Sequence, residues 1–325
     1  MRVLLTGGSG FVGGHIAHSL AASGHELRLL LRPTSNTSFV GDLPFERCVG
    51  DLQRPDSLRS ACHGIDAVVH AAAVLRAADA KEFMRANQEG TRRLAEAAVN
   101  SGVKRMVYIS SLAAQGPSRD GVAESTEVKP HPVSAYGRSK LEGERMLEEF
   151  RDCVDVVSLR PPLVYGPGDT GLLAFFWMAR RGFAVRLGNG SNVVDAIYGP
   201  DLADAVTALM KTERLPQDCY YVSDPEGPYS WNDLLSGLAE VADRRLFIPS
   251  LSPGVFHGLA RCSEWWAQLS RTEPMLDRTR VLEMRQPAWL CDSSALSRDT
   301  GWQSRTRLEN GLAETMRWYR EQGWV

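Results

Sequence analysis

One run of glycines constrains this chain more than any other feature. Thr6-Gly7-Gly8-Ser9-Gly10-Phe11-Val12-Gly13 follows the apolar stretch Val3–Leu5 and opens the helix-like stretch Gly13–Ser23. Placed between a strand and a helix, such a turn has a physical purpose. Glycine allows a sharp bend and a close backbone approach, and the free N–H groups at the helix start attract negative charge. The ligand implied is a dinucleotide pyrophosphate, cradled by Gly7, Ser9, Gly10, Phe11, Val12 and Gly13. A glycine-rich loop without a ligand is the plainer reading, and the flanking strand and helix argue against it.

The alternation continues beyond the turn. Leu27–Leu31, Ala67–His70, Met106–Ser110 and Val154–Leu159 read as further buried strands. Pro55–Cys62, Arg85–Ser101 and Ser134–Phe150 have helical periodicity. Repeated strand–helix–strand units predict a parallel sheet covered on both faces, with ligands in the crevice at the carboxyl ends of the strands. The pattern changes after Gly166-Pro167-Gly168. Leu172–Arg181 and Pro200–Leu209 look helical, Ala184–Leu187 and Val193–Tyr198 are short strand candidates, and the segments from about Tyr229 are helical and tryptophan-rich. The expected division is a dinucleotide-binding domain over residues 1–168, with contributions from about 188–222. A smaller, mostly helical substrate region then covers 169–187 and 223–325. Ser118–Pro132 reads as a loop flanking the active site.

Charge and composition narrow the class. A net charge of -2 gives no electrostatic reason to expect nucleic acid or an anionic membrane as partner. The first residues form too short an apolar stretch for a secretion signal, and no segment reaches membrane-spanning length, so cytoplasm is the expected location. Six scattered cysteines show no metal-ligand spacing and read as structural thiols in a reducing compartment. No metal site is expected.

The chemistry is concentrated in Tyr136-Gly137-Arg138-Ser139-Lys140 and in the pair Ser110-Ser111 upstream. Tyr136 and Lys140 lie one helical turn apart on one face. An ammonium beside the phenol stabilises phenolate and is expected to lower the tyrosine pKa from its reference near 10. Tyr136 then serves as general acid for ketone reduction or base for alcohol oxidation. Ser111, at the end of its strand, orients the substrate oxygen, while Ser110 is expected to face the other side of that strand. Tyr-x-x-x-Lys by itself is common on exposed helices; the glycine turn and Ser111 in order with it give it weight.

The end of the second strand bears on which nicotinamide is bound. A carboxylate there would hold the adenosine ribose and favour NAD. This chain has Leu31 followed by Arg32, and a guanidinium suits a 2′-phosphate in charge and geometry. With Ser9 as a second donor, Arg32 favours NADP, with NAD possible; alternatively Arg32 lies over the adenine face. Asp51 and Leu52 are expected beside the adenine, although Asp51 could instead cap the helix at Pro55.

These residues closely resemble the extended short-chain dehydrogenase/reductase family. The likeness extends along nearly the whole chain through Thr6–Gly13, Gly50-Asp51-Leu52, His70–Ala73, Asn87–Thr91, Ser110-Ser111, Tyr136–Lys140 and Leu159–Asp169. The resemblance implies a Rossmann-type doubly wound α/β fold and a Ser-Tyr-Lys triad. It also implies a cofactor lined by Ala71, Ala72 and Pro161, with Lys140 on the nicotinamide ribose. Asn87 steadies a loop or the cofactor in that reading, or is an ordinary polar helix residue. Nucleotide-sugar epimerases and dehydratases usually carry an Arg-Asp pair where this chain has Val194-Asp195, and the Asn192-x-x-Asp195 pattern is more similar to the 3β-hydroxysteroid dehydrogenase branch. Arg32 is similar to the cofactor signal of dihydroflavonol-reductase-like enzymes.

The function expected is therefore an NADP-preferring oxidoreductase that interconverts a secondary alcohol and a ketone on a hydrophobic small molecule. Phe175, Phe176, Trp177 and Met178, with Phe256, Trp265 and Trp266, could line its substrate site or form ordinary core. Two alternatives remain open: a nucleotide-sugar 4-epimerase with tightly bound NAD, its lost anchor replaced by Arg180, Arg181 or Arg186, and a non-catalytic NADP-binding regulator. The family also makes a homodimer possible.

Overall fold

The computed structural model describes residues 1–77, 79–252, 254–255, 258 and 278–325. Phe256, Trp265 and Trp266 lie outside the described residues. The central feature is one seven-stranded sheet: β1 (Arg2–Thr6), β2 (Glu26–Leu31), β3 (Phe45–Val49), β4 (Ala67–His70), β5 (Arg105–Ile109), β6 (Asp155–Arg160) and β7 (Cys219–Tyr221). Its spatial order is β7-β6-β5-β4-β1-β2-β3, with every neighbouring pair parallel. That is the doubly wound Rossmann arrangement, whose strand order reverses beside β1.

Burial explains the strand sequences. β4 and the inner part of β1 are apolar on both faces because helices cover both sides. On one side Leu5, Val69, Val107 and Val157 pack against α1 (Phe11–Ala22), through Ile16 and Leu20, and against the later helix Gly199–Lys211. On the other, Leu4, Val68, Met106 and Val156 meet α2 (Pro55–Cys62), α3 (Gly90–Asn100) and α4 (Ala135–Glu148) through Leu58, Leu94 and Leu147. Two edge strands escaped the strand pattern. β3 reads Phe-Glu-Arg-Cys-Val with its polar side chains exposed, and β7 has only three residues.

The later part of the chain is mainly helical, with a few short strands added. Short strands Val193–Val194, Tyr229–Ser230 and Ala288–Trp289 form a small sheet, and Arg186–Leu187 pairs with Ser250–Leu251. Arg186–Leu187 and Val193–Val194 fall within the short strand candidates Ala184–Leu187 and Val193–Tyr198, whereas Tyr229–Ser230, Ser250–Leu251 and Ala288–Trp289 carry too little pattern to be legible by period. Helices Leu173–Arg180, Trp231–Ala242 and Leu308–Glu321 share a third core around Phe176, Leu235, Leu312 and Tyr319. Trp318 and Trp324 pack there edge to face at 4.8 Å. Among the described residues, no helix is long and apolar enough to cross a membrane.

Candidate active site

The glycine turn sits at the carboxyl end of β1, and its glycines are required by contact. A Cβ on Gly13 would lie 2.1 Å from the Gly7 carbonyl oxygen, and one on Gly7, at φ +75°, would lie 2.6 Å from the Ala72 nitrogen. Gly10 is the N-cap of α1; no side chain caps that helix and no acidic residue stands in its first turn. Its leading N–H groups are thus left uncapped by the protein's own side chains, a setting that suits an anion. Thr6 Oγ1 supports the turn by accepting from the Ala72 N–H at 3.2 Å and pairing with His70 Nδ1 at 2.7 Å. Burial lowers the His70 pKa to about 3, so the ring is neutral, and its Nε2 meets Thr91 Oγ1 at 3.0 Å. Sequence reading did not give His70 this bracing role.

One cavity of about 1060 Å³ runs from this turn across the top of the sheet. Gly7, Ser9, Gly10, Phe11, Val12, Gly13, Arg32, Asp51, Leu52, Ala71, Ala72 and Pro161 all line it, together with Ser111, Tyr136 and Lys140. A pyrophosphate-bearing dinucleotide fits this cradle, because its narrowest part is walled by backbone that a Cβ would fill. Asp51 does not cap α2: its Oδ1 accepts from the Gln53 N–H at 2.8 Å in a local turn, and Arg54 takes the N-cap position. Ser110 and Ser111 both border the cavity, and the Ser110 Oγ is buried without a hydrogen-bond partner.

Tyr136 and Lys140 lie on α4, which Ser134 starts by accepting from the Gly137 N–H at 2.9 Å. A Cβ on Gly137 would stand 2.1 Å from the Ala113 carbonyl oxygen, so this helix lies directly on the segment after β5. Ser111 caps the short helix Leu112–Gln115, its Oγ accepting from the Ala113 N–H at 3.1 Å. The Lys140 ammonium donates to the Ile109 carbonyl at 2.7 Å and lies 4.2 Å from the centre of the Tyr108 ring. Asn87 locks the loop after β4 to α4. Its Oδ1 accepts from the Val74 N–H at 2.8 Å, and its Nδ2 donates to the Val74 carbonyl at 3.0 Å and to Ser139 Oγ at 2.9 Å.

The electrostatics correct one expectation. Burial lowers the Lys140 pKa to about 7, partly offset by Glu144. The Tyr136 phenol is held above its usual range, first by burial and then by the Glu283 carboxylate, with a hydrogen bond from Ser111 opposing them. The phenol is therefore held less acidic than a free tyrosine rather than more, because burial dominates.

Beyond the Tyr136 region the lining becomes apolar, with Phe175, Met178, Trp231, Met284 and Trp289 prominent. The aromatic run in Leu173–Arg180 is divided by the helix. Phe175 and Met178 face the cavity, Phe176 is core against Tyr319, and Trp177 lies at the surface with Arg181 stacked 3.4 Å from its centre. Val194, in place of the sugar-nucleotide arginine, lines the cavity too. Arg180, Arg181 and Arg186 do not; Arg186 bonds Ser250 and Asn232 instead. Sequence reading missed Thr279, Arg280, Glu283 and Gln286, which add polar groups to the lining. Their spacing at i, i+1, i+4 and i+7 was the available signal.

This is the architecture of NAD(P)-dependent enzymes of the extended short-chain dehydrogenase/reductase type. The chain belongs to the NAD dependent epimerase/dehydratase family, whose model matches residues 3–222. It is 30% identical to a ceramide reductase of Caulobacter vibrioides over 99% of this chain and 96% of that protein. Among solved structures it resembles gox2253, with 27% identity and a TM-score of 0.83 over 100% of this chain and 99% of the other. It also resembles MoeE5 in complex with UDP-glucuronic acid and NAD, with 25% identity and a TM-score of 0.78 over 99% of this chain and 100% of that one.

Proposed function

We propose that this enzyme is an NADP-preferring oxidoreductase interconverting a secondary alcohol and a ketone on a hydrophobic small molecule. The observation that carries the reading is the apolar far end of the cavity, with Val194 where a sugar-nucleotide enzyme has its arginine. The similarity to a ceramide reductase supports a reductase acting on an apolar compound. Arg32 and Ser9 line the adenosine end, where no carboxylate closes β2, and this favours a 2′-phosphate.

When bound, the nicotinamide supplies or accepts the hydride. Tyr136 holds its proton throughout neutral pH, the form in which a phenol delivers a proton to a carbonyl oxygen being reduced. Ser111 donates a hydrogen bond to that oxygen and counters the negative charge it gains. Lys140, anchored on Ile109, would hold the nicotinamide ribose and contributes its cationic form below about pH 7. The apolar wall excludes water from the reacting centre.

A second reading, a nucleotide-sugar epimerase, is favoured by Arg280, a guanidinium on the substrate wall, and by the likeness to MoeE5. Its charge is opposed by the buried Asp169 nearby. Incubating the purified enzyme with medium-chain ketones or UDP-sugars, and following NADPH and NADH absorbance, separates the two. The expected result is steady NADPH oxidation with the ketones. Epimerised sugar without net cofactor consumption, or faster turnover with NADH, would overturn the reading.

A further inference from the structure

A buried ionic fork lies behind the catalytic helix, outside the cavity. Arg160, the last residue of β6, donates from Nε to one oxygen of Glu144 at 2.9 Å and from Nη2 to the other at 2.6 Å. Its Nη1 donates to Gln115 Oε1 at 2.7 Å and to the Tyr221 hydroxyl at 3.2 Å. Gln115 closes the short helix that Ser111 caps, and its Nε2 donates to the Val128 carbonyl at 3.1 Å. Arg160, Glu144 and Gln115 are all buried, and none of them lines the cavity.

Taking two charges out of water is costly, and packed hydrocarbon in their place is often as stable or more so. Stability alone gives this pair little reason to exist; its position gives a better one. Glu144 follows Lys140 by four residues on α4, so the two side chains are neighbours on one helical face, with Cβ atoms about 5–6 Å apart. Lys140 is 2% exposed, and an ammonium so placed has lost the water that would hold its charge. The Glu144 carboxylate replaces part of that support, raising the lysine's pKa against the stronger effect of burial. The bidentate guanidinium keeps the carboxylate in one orientation. Around Lys140 and the fork, burial keeps His70 unprotonated and the Tyr108, Tyr136 and Tyr221 phenols protonated, and it pushes the Cys219 thiol up to about 12. Glu144 thus supplies the charge opposite the ammonium.

We infer that Glu144 is a positioning residue for the reaction: gripped by Arg160, it acts through Lys140 as the counter-charge of a buried ammonium and touches neither cofactor nor substrate. This rests on the proposed role of Lys140 at the nicotinamide ribose, but the titration of the lysine is measurable without turnover.

The test uses the full-length, ligand-free enzyme with its lysines labelled with carbon-13 at Cε. NMR follows the Lys140 resonance, assigned by its loss in Lys140→Met, from about pH 4 to 11. Opposite charges about 6 Å apart in a partly screened interior imply that Glu144→Gln lowers the titration midpoint by about one to two pH units. The double variant Glu144→Leu with Arg160→Met removes both charges and leaves neither unpaired. It should melt at or above the wild-type temperature, with its midpoint lowered in the same direction. If Glu144→Gln fails to fold, the double variant carries the measurement. An unchanged or raised midpoint in either folded variant would overturn the inference, and a double variant that melts well below the wild type while Lys140 titrates as before would assign the pair to stability alone. If the midpoints fall and no NADPH is consumed with ketones, the reductase reading fails and the pairing of Glu144 with Lys140 survives.

Discussion

Replacing Gly13 with alanine tests the cofactor cradle at its tightest point. The added methyl would lie 2.1 Å from the Gly7 carbonyl oxygen and 2.6 Å from its carbon, against backbone that has no rotamer to change. Ordinary carbon–oxygen contact needs more than an additional ångström, so the turn and the start of α1 must separate. Overpacking of this kind costs about 1–3 kcal/mol. At about 1.5 °C per kcal/mol for a chain of this length, Tm should fall by about 2–5 °C. The larger effect falls on the ligand. Shifting the helix-start N–H groups away from a pyrophosphate removes one or two charge-assisted hydrogen bonds, so the NADPH Kd should rise about ten- to hundredfold. Gly24→Ala is the control, because Gly24 has φ +77° and nothing within 4 Å of its would-be Cβ. It should cost about 1–2 kcal/mol through left-handed strain and leave NADPH affinity alone. Fluorescence titration of NADPH, paired with thermal melts, separates affinity from stability. Equal NADPH affinity in Gly13→Ala and wild type would refute the assignment of this turn to the pyrophosphate.

Other outcomes follow from the same geometry. Tyr136→Phe should lower kcat by about two to four orders of magnitude with NADPH affinity retained, and loss of NADPH binding would show that the phenol supports the fold instead. Arg32→Asp should weaken NADPH about ten- to hundredfold while sparing NADH, measured as the ratio of the two Kd values; an unchanged ratio counts against a phosphate contact. Lys140 has a pKa of about 7 in the fold against an ordinary lysine value of 10.5. Between those values the unfolded chain binds more protons, so stability should rise with pH across that window. Lys140→Met should lack that rise in a Tm–pH series, and parallel curves for the two proteins would refute the assigned protonation.

The sequence carried the ligand cradle and the sheet because both are written in local pattern. Glycines at fixed offsets and buried apolar strands are short-range signals, and Ser111, Tyr136 and Lys140 announce their spacing on known elements. Edge strand β3 was harder to see because its exposed Glu46 and Arg47 break the apolar run. The state of Tyr136 could not be read from its own neighbourhood. The lysine one turn away suggested greater acidity, whereas burial raises the phenol's pKa and the Glu283 carboxylate, far along the chain, adds to it. The contribution of Thr279, Arg280, Glu283 and Gln286 to the cavity was likewise hidden, since they come from a segment far along the chain from the catalytic motif.

The small sheet of the later chain grips that segment without reading side chains. Asn192 and Trp289 touch carbonyls, the Val193 N–H donates to the Pro287 carbonyl at 3.0 Å, and the Asp195 N–H donates to the Trp289 carbonyl at 2.8 Å. Docking of this kind is blind to most of what the docked segment spells. Mutational drift can rewrite the segment's cavity-lining residues while its perch stays fixed, so new ligand preferences can arise here without disturbing the hydride-transfer machinery.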